Sequence, residues 1–208
     1  MKTQSISRDL ARFVYSLSFR ELPNQVVDRA KNLILDALAT AIAGLDLLYY
    51  HIGLELVKDN KGNTTIFGHG LRVPAIDAAF INSVLLASIG QSDVLCRGHP
   101  ADVVLPATIA VAEQEGSSGA EAITALVAGY DIFARIFWGA PSIIPRFRAT
   151  PVVGPFGAVA AAGKLLRLDE DQLTNALGYA ANFSSGFPEC YTAGTMESRF
   201  HADWSSQY

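Results

Sequence analysis

Cysteine is nearly absent from this chain: two occur in 208 residues, Cys96 and Cys190. Two thiols cannot build the disulfide framework of a small secreted scaffold, and they suit a reducing, cytoplasmic compartment. Charge is scarce as well. Charged residues make up 17% of the chain against 50% hydrophobic, the net charge is -4, and no Lys/Arg cluster reaches five. A nucleic-acid partner is therefore not expected. Long apolar runs are missing too. The most apolar stretch, Val103 to Ala112, is interrupted by Pro106 and is far short of the roughly 20 residues that span a bilayer. The N-terminal MKTQSISRDLARF has no run resembling a signal peptide, so no membrane partner is expected. Convincing β-branched runs reduce to one, Thr64 to Phe67. What these absences leave is an all-α domain over residues 1–208, long enough to bury a substantial core. Its low charge implies that part of the surface faces another subunit or a further segment.

The apolar periodicity is helical almost throughout. Ile6, Leu10, Phe13, Val14 and Leu17 mark a first helix, and Val26 to Ala41 mark a second, strongly buried one ended by Gly44. A third runs from about Leu47 to Val57 and carries His51, which reads as a packed or solvated residue. Thr64 to Phe67 form a strand or connector closed by the turn Gly68-His69-Gly70, and Pro74 opens the next helix. A helix from Pro106 to Glu113 ends at Gly116. Ser118 with Glu121, and Asp169 with Gln172, form capping boxes that start two more. Gly139 to Pro155 contain Pro141, Pro145, Pro151 and Pro155 and read as a long loop bearing Arg146 and Arg148. Gly157 to Gly163 then start a helix almost without side chains, suited to close backbone packing or to bringing amides near an anion.

Chemistry concentrates between Gln91 and Glu113, in QSDVLCRGHPADVVLPATIAVAE. Ser92, Asp93, Cys96, Arg97 and His99 precede a turn over Pro100 into a buried helical segment. A loop carrying an acid, a thiol, a cation and an imidazole against a core helix is a candidate site. Its bland reading is a polar turn with Asp93 or Asp102 as a helix cap. Cys96 reads as a bystander and Cys190 as a packing residue. Tyr130 and Asp131 read as core and helix-surface residues, with Arg135 spaced to pair with Asp131.

Three segments resemble the MmgE/PrpD family, helical enzymes that include 2-methylcitrate dehydratase, iminodisuccinate epimerase and cis-aconitate decarboxylase. They are Ser92 to Ile136, with its His-Pro and Leu-Pro-Ala; the Ala-rich Gly154 to Gly186; and GTMESRFHADW, Gly194 to Trp204. The resemblance implies a small polycarboxylate substrate and proton abstraction beside a carboxylate, followed by loss of water, loss of carbon dioxide or reprotonation. It implies no metal or organic cofactor. It assigns proton transfer to His99 with Asp93 beside it, and substrate binding to Arg148, Arg199, His201 and Ser198, since guanidinium groups match carboxylates in pairs. Three positions depart from the family pattern. Gln91-Ser92-Asp93-Val94 stands where several acids and a Thr are common, Phe147-Arg148-Ala149 where a His is usual, and Ser198 where many members have Lys. Family chains are also roughly twice as long, with a second α+β lid domain that is not expected within these 208 residues. The expectations are a lyase or isomerase, a truncated helical module that is non-catalytic or pairs with a separate chain, or a pocket reused for another reaction such as a cyclisation. A homodimer or a complementary second chain would cover the apolar surplus.

Overall fold

The computed structural model describes residues 5–142 and 146–206. Its elements are α1 (Ile6–Ser16), α2 (Asn24–Ala43), α3 (Leu48–Val57), β1 (Thr64–Thr65), β2 (Arg72–Val73), α4 (Ala75–Ile89), α5 (Pro100–Glu115), α6 (Gly119–Gly139), α7 (Ala149–Leu165), α8 (Glu170–Ala180), α9 (Glu189–Ala193) and α10 (His201–Ser206). The fold is all-α. The expected single strand is two: β1 and β2 pair antiparallel with Thr64 opposite Val73 and Thr65 opposite Arg72. The connector after β1 is held by buried Asn82 on α4. Its Oδ1 accepts from Phe67 N–H at 2.8 Å and its Nδ2 donates to Thr65 O at 3.0 Å, as a neighbouring strand would.

The centre is α5, α6 and α7, which pack on one another. α4 lies against α5, α2 and α3 lie on α4, and α1 packs with α8. α6 is long and apolar enough to cross a membrane, yet half of that stretch is buried inside the protein, against α7, α5 and α2. Both expected capping boxes are present, at Ser118/Glu121 and Asp169/Gln172. Arg135 pairs with Asp131 as its spacing implied. The second helix turns its expected face inward, with Val27, Ala30, Ala37 and Ala41 buried, while Leu35 and Ile42, off that face, are exposed.

Two helices begin earlier than their prolines suggested, for the same reason. α5 starts at Pro100, so Pro106 lies inside it; α7 starts at Ala149, so Pro151 and Pro155 are helical rather than part of a loop. Pro145 lies outside the described residues. A proline inside a helix frees the carbonyl four residues earlier, and a buried free carbonyl is unfavourable. Here the Asp102 carbonyl freed by Pro106 accepts from Ser83 Oγ of α4. The Pro151 carbonyl freed by Pro155 accepts from Ser205 Oγ of α10 at 3.2 Å and from Ser185 N–H at 3.4 Å. Serines remote in sequence thus replace the missing helical bonds, and the helices continue through their prolines.

Candidate functional site

The loop from Gln91 to His99 reaches α5 through a tight hairpin. Leu95 and Gly98 exchange both backbone hydrogen bonds at 2.9 Å. The two residues between them are left-handed, Cys96 at φ 55° and Arg97 at φ 65°. Turns with two left-handed central residues favour Asn-Gly, and a side chain forced there costs roughly 1 kcal/mol. Gly98 lets this turn lie flush on α6, since a Cβ there would come 2.7 Å from Phe133 Cζ. Replacing Cys96-Arg97 by Asn-Gly is expected to raise stability by about 1 kcal/mol, or roughly 2–4 °C in thermal unfolding for a domain this size. An unchanged or lowered midpoint would show that the turn holds no strain. Burial pushes the Cys96 thiol above its ordinary value, which works against a thiolate nucleophile.

His99 is fixed from three directions. Its backbone N–H donates to Thr150 Oγ1 at 2.9 Å, its Nδ1 lies 2.9 Å from the Asp93 carbonyl oxygen, and Ser92 Oγ is 3.3 Å from the same nitrogen. A carbonyl oxygen only accepts, so Nδ1 carries the proton and Nε2 is the basic nitrogen. Asp93 therefore orients the imidazole through its backbone. Its carboxylate does a different job: Oδ1 accepts from Ala101 N–H at 3.0 Å and caps α5. Burial raises the Asp93 carboxyl, opposed by that N–H and by the nearby Tyr130 hydroxyl. The Tyr130 hydroxyl is near this carboxylate but outside hydrogen-bonding geometry, and burial raises it well above the usual phenol range.

Asp102 is not the cap. It sits one residue past Ala101, buried in the first turn of α5, and burial pushes its carboxyl up to about 6. A carboxyl raised from 3.8 on folding contributes stability below its unfolded value, and that contribution is lost as pH rises through about 6.

Arg148, the residue before α7, gathers the C-terminal segment. Nε donates to Tyr191 Oη at 2.9 Å, and Nη1 donates to the Ser198 carbonyl at 2.8 Å and to His201 Nδ1 at 2.9 Å. The guanidinium also lies over the Tyr191 ring, 5.0 Å from its centroid. His201 accepts at Nδ1 and is therefore neutral; burial and then the Arg148 charge lower its pKa. Among the expected contacts, Ser198 meets Arg148 through its carbonyl. Arg199 turns the other way, donating to Ala87 O at 3.0 Å near the end of α4 and lying 6.0 Å from the Tyr49 ring.

His99 and Arg148 line one cavity of about 270 Å³, with Arg97, Phe147, Thr150 and Tyr191. A larger cavity of about 520 Å³ lies elsewhere, beside Tyr15, Phe19, Thr124 and Leu168. Its cations are already engaged, Lys164 with the Tyr15 carbonyl and Arg167 with Glu121. Convergent polar groups mark a binding site better than volume does, and these meet in the smaller cavity. Thr150 and Tyr191 were not singled out in the sequence. They sit 51 residues from His99 and 43 from Arg148, so no local spacing pointed to them. Among the described residues, no three His, Cys, Asp or Glu side chains are grouped as metal ligands.

The fold is thus an all-helical domain that brings an oriented imidazole and a guanidinium to one cavity. The chain belongs to the MmgE/PrpD family: the model of the MmgE/PrpD N-terminal domain matches residues 8–207. Its relatives include human cis-aconitate decarboxylase, 30% identical over 88% of this chain and 40% of that protein. A cis-aconitate decarboxylase-like protein of Aspergillus oryzae is 27% identical over 95% of this chain and 44% of its own length. Cis-aconitate decarboxylase of Aspergillus terreus is 26% identical over 92% of this chain and 42% of its own length. The chain thus spans about two-fifths of these relatives, and this is a family with lyases in it.

Proposed function

We propose that this chain is the helical part of an MmgE/PrpD lyase or isomerase that acts on a small polycarboxylate by proton abstraction, without a cofactor. Supporting this reading is the observation that His99, its proton held on Nδ1 by the Asp93 carbonyl, lines the same cavity as Arg148. In this mechanism Arg148 grips one carboxylate of the substrate, acting as a charge-assisted donor. The neutral His99 takes the proton from the carbon beside that carboxylate at Nε2. Arg97 on the cavity rim adds positive charge that stabilises the carbanion-like transition state. For loss of water the proton then passes from His99 to the departing hydroxyl; loss of carbon dioxide draws one further proton from solvent for the remaining carbanion, and epimerisation takes a solvent proton on the opposite face while His99 releases its own. His201, held neutral by Arg148, serves as a second donor through Nε2. In this reading Arg199 holds the end of α4 against the C-terminal segment, and the Ser198 carbonyl fixes the guanidinium of Arg148.

The chain would be incubated in deuterated water with cis-aconitate, citrate, 2-methylcitrate and iminodisuccinate and followed by proton NMR. Turnover or deuterium incorporation with at least one of them is expected, falling by about 10²-fold or more in His99→Ala. Undiminished exchange in that variant would remove His99 from the chemistry.

Exposed apolar side chains support a second reading, a helical module that works only when paired with another copy or a complementary chain. Phe187 and Tyr191 near the cavity, and Leu48 and Leu56 on α3, are each at least 60% exposed. Surfaces of this kind favour association. Silence with all four substrates, followed by activity on adding a chain corresponding to the relatives' remaining length, would favour this reading. A cytoplasmic location goes with both readings, supported by two free cysteines.

A further inference from the structure

The proposed mechanism leaves one buried acid without a role. Asp102 is 6% exposed, and its Oδ1 has no hydrogen-bond partner. Buried polar atoms without partners are rare and call for a reason. The residue's backbone is held at both ends. Its N–H donates to the His99 carbonyl at 3.1 Å, and its own carbonyl accepts from Ser83 Oγ. The groups acting on its carboxyl are Ser92, Asp93 and His99 from the loop, Arg148 from the start of α7, and Tyr130 from α6, whose phenol feels the carboxyl in turn.

Ser92 connects this acid to the imidazole. Its hydroxyl is buried and 3.3 Å from His99 Nδ1, and it favours the charged form of the nearby Asp102 carboxyl, with no hydrogen bond completed between the two. Nδ1 carries a proton, so Ser92 Oγ can only accept from it. The single proton of Ser92 is then free to be donated on the other side, toward Asp102. We propose that Asp102 is a positioning residue of the site, acting on the His99 imidazole through the Ser92 hydroxyl, so that the proton-transfer unit is the chain Asp102–Ser92–His99.

The direction of its effect follows from the hydrogen bonds. An ionised Asp102 draws the Ser92 proton, strengthens the bond from Nδ1 to Ser92 Oγ, and makes Nε2 a better base. A protonated Asp102 withdraws that support. With burial raising the carboxyl to about 6, the change falls close to neutral pH. A polycarboxylate bound at Arg148 brings further negative charge to the cavity and favours the protonated form, so binding is accompanied by proton uptake. The inference rests on His99 as the proton-transfer group, but the coupling itself exists without turnover and is measured without it.

The test is an NMR titration of the full chain, labelled with carbon-13 at the Asp carboxyls and nitrogen-15 in the His rings, between pH 4 and 9. The Asp102 carboxyl is expected to titrate near 6, with an inflection of the His99 ring nitrogens at the same midpoint. That inflection should vanish in Asp102→Asn and in Ser92→Ala, with the far-ultraviolet spectrum intact. A wild-type His99 ring without an inflection at the Asp102 midpoint overturns the proposal, as does one that persists in both variants. The wild-type titration decides even where a variant fails to fold. Coupled titration with no turnover on any carboxylate would keep this inference and sink the proposed reaction.

Discussion

Gly129→Ala is expected to destabilise the protein by about 3 kcal/mol, although alanine is the better helix former by nearly 1 kcal/mol. Gly129 on α6 and Gly157 on α7 face each other, with Val104 of α5 wedged against both. A Cβ at Gly129 would collide with Val104 Cγ1 and lie 2.8 Å from the Gly157 carbonyl oxygen; one at Gly157 would lie 2.9 Å from the Gly129 carbonyl. A side chain can rotate away, but a carbonyl inside a helix moves only with its helix. Overpacking of this kind lies at or above the top of the usual 1–3 kcal/mol range. At roughly 2–4 °C per kcal/mol the midpoint should fall by about 6–12 °C. Gly178 on α8 is the control. It is exposed, and a Cβ there meets nothing within 4 Å, so Gly178→Ala should stabilise by roughly 0.5–1 kcal/mol. Opposite signs for the two substitutions, read by denaturant unfolding, would establish close helix contact as the role of the glycines. A stabilising Gly129→Ala would refute it.

That contact resolves one of the two possibilities left open by the side-chain-poor stretch from Gly157 to Gly163. Because α7 begins at Ala149, these glycines are mid-helix, with no free amides to offer an anion. What was legible in the sequence was local. Capping boxes, apolar periodicity and the Arg135–Asp131 spacing all act within four residues, and each appears in the structure. What was not legible depends on remote partners. Nothing near Pro106 or Pro155 announces Ser83 or Ser205, which allow those prolines to stay in helices. The Cys96-Arg97 turn carries none of the Asn-Gly signal of its geometry. Asp102 has the residue type of a helix cap; its burial appears only once Asp93, nine positions earlier, is seen to occupy that role. The His-Pro motif and the family resemblance directed attention to His99 and Arg148, and the fold brings both to one cavity. The hydrogen bonds that set their protonation and orientation come from residues up to 53 positions away.

Arg148→Ala should release the C-terminal segment and remove carboxylate binding together. The guanidinium bonds to the Tyr191 hydroxyl, the Ser198 carbonyl and His201 Nδ1. Hydrogen bonds to charged groups contribute about 1.5–3 kcal/mol each, and bonds sharing one side chain do not add. A loss of about 3 kcal/mol is therefore expected, concentrated in residues 189–206 and read as faster amide exchange there than in α6. Lysine should not restore it, since a single ammonium cannot satisfy three partners set around a planar fork. The pH dependence provides a second check. Burial first, and the Arg148 charge second, hold His201 below its ordinary value, so the folded state binds fewer protons there than the unfolded chain. Its stabilising contribution is complete above the unfolded value of about 6.5 and is lost as pH falls from there toward the depressed folded value. Protonation also turns Nδ1 from acceptor to donor, so that it faces Arg148 Nη1 with a proton on each side. Wild-type protection of residues 189–206 should therefore decline below about pH 6.5, and in Arg148→Ala it should be low throughout and depend less on pH. A segment that stays protected at pH 5 would show that His201 and Arg148 do not hold it in place. Protection undiminished in the variant would assign the docking to Ala202, buried against Ala87, Val103 and Ala158, and to Ser205 on the Pro151 carbonyl.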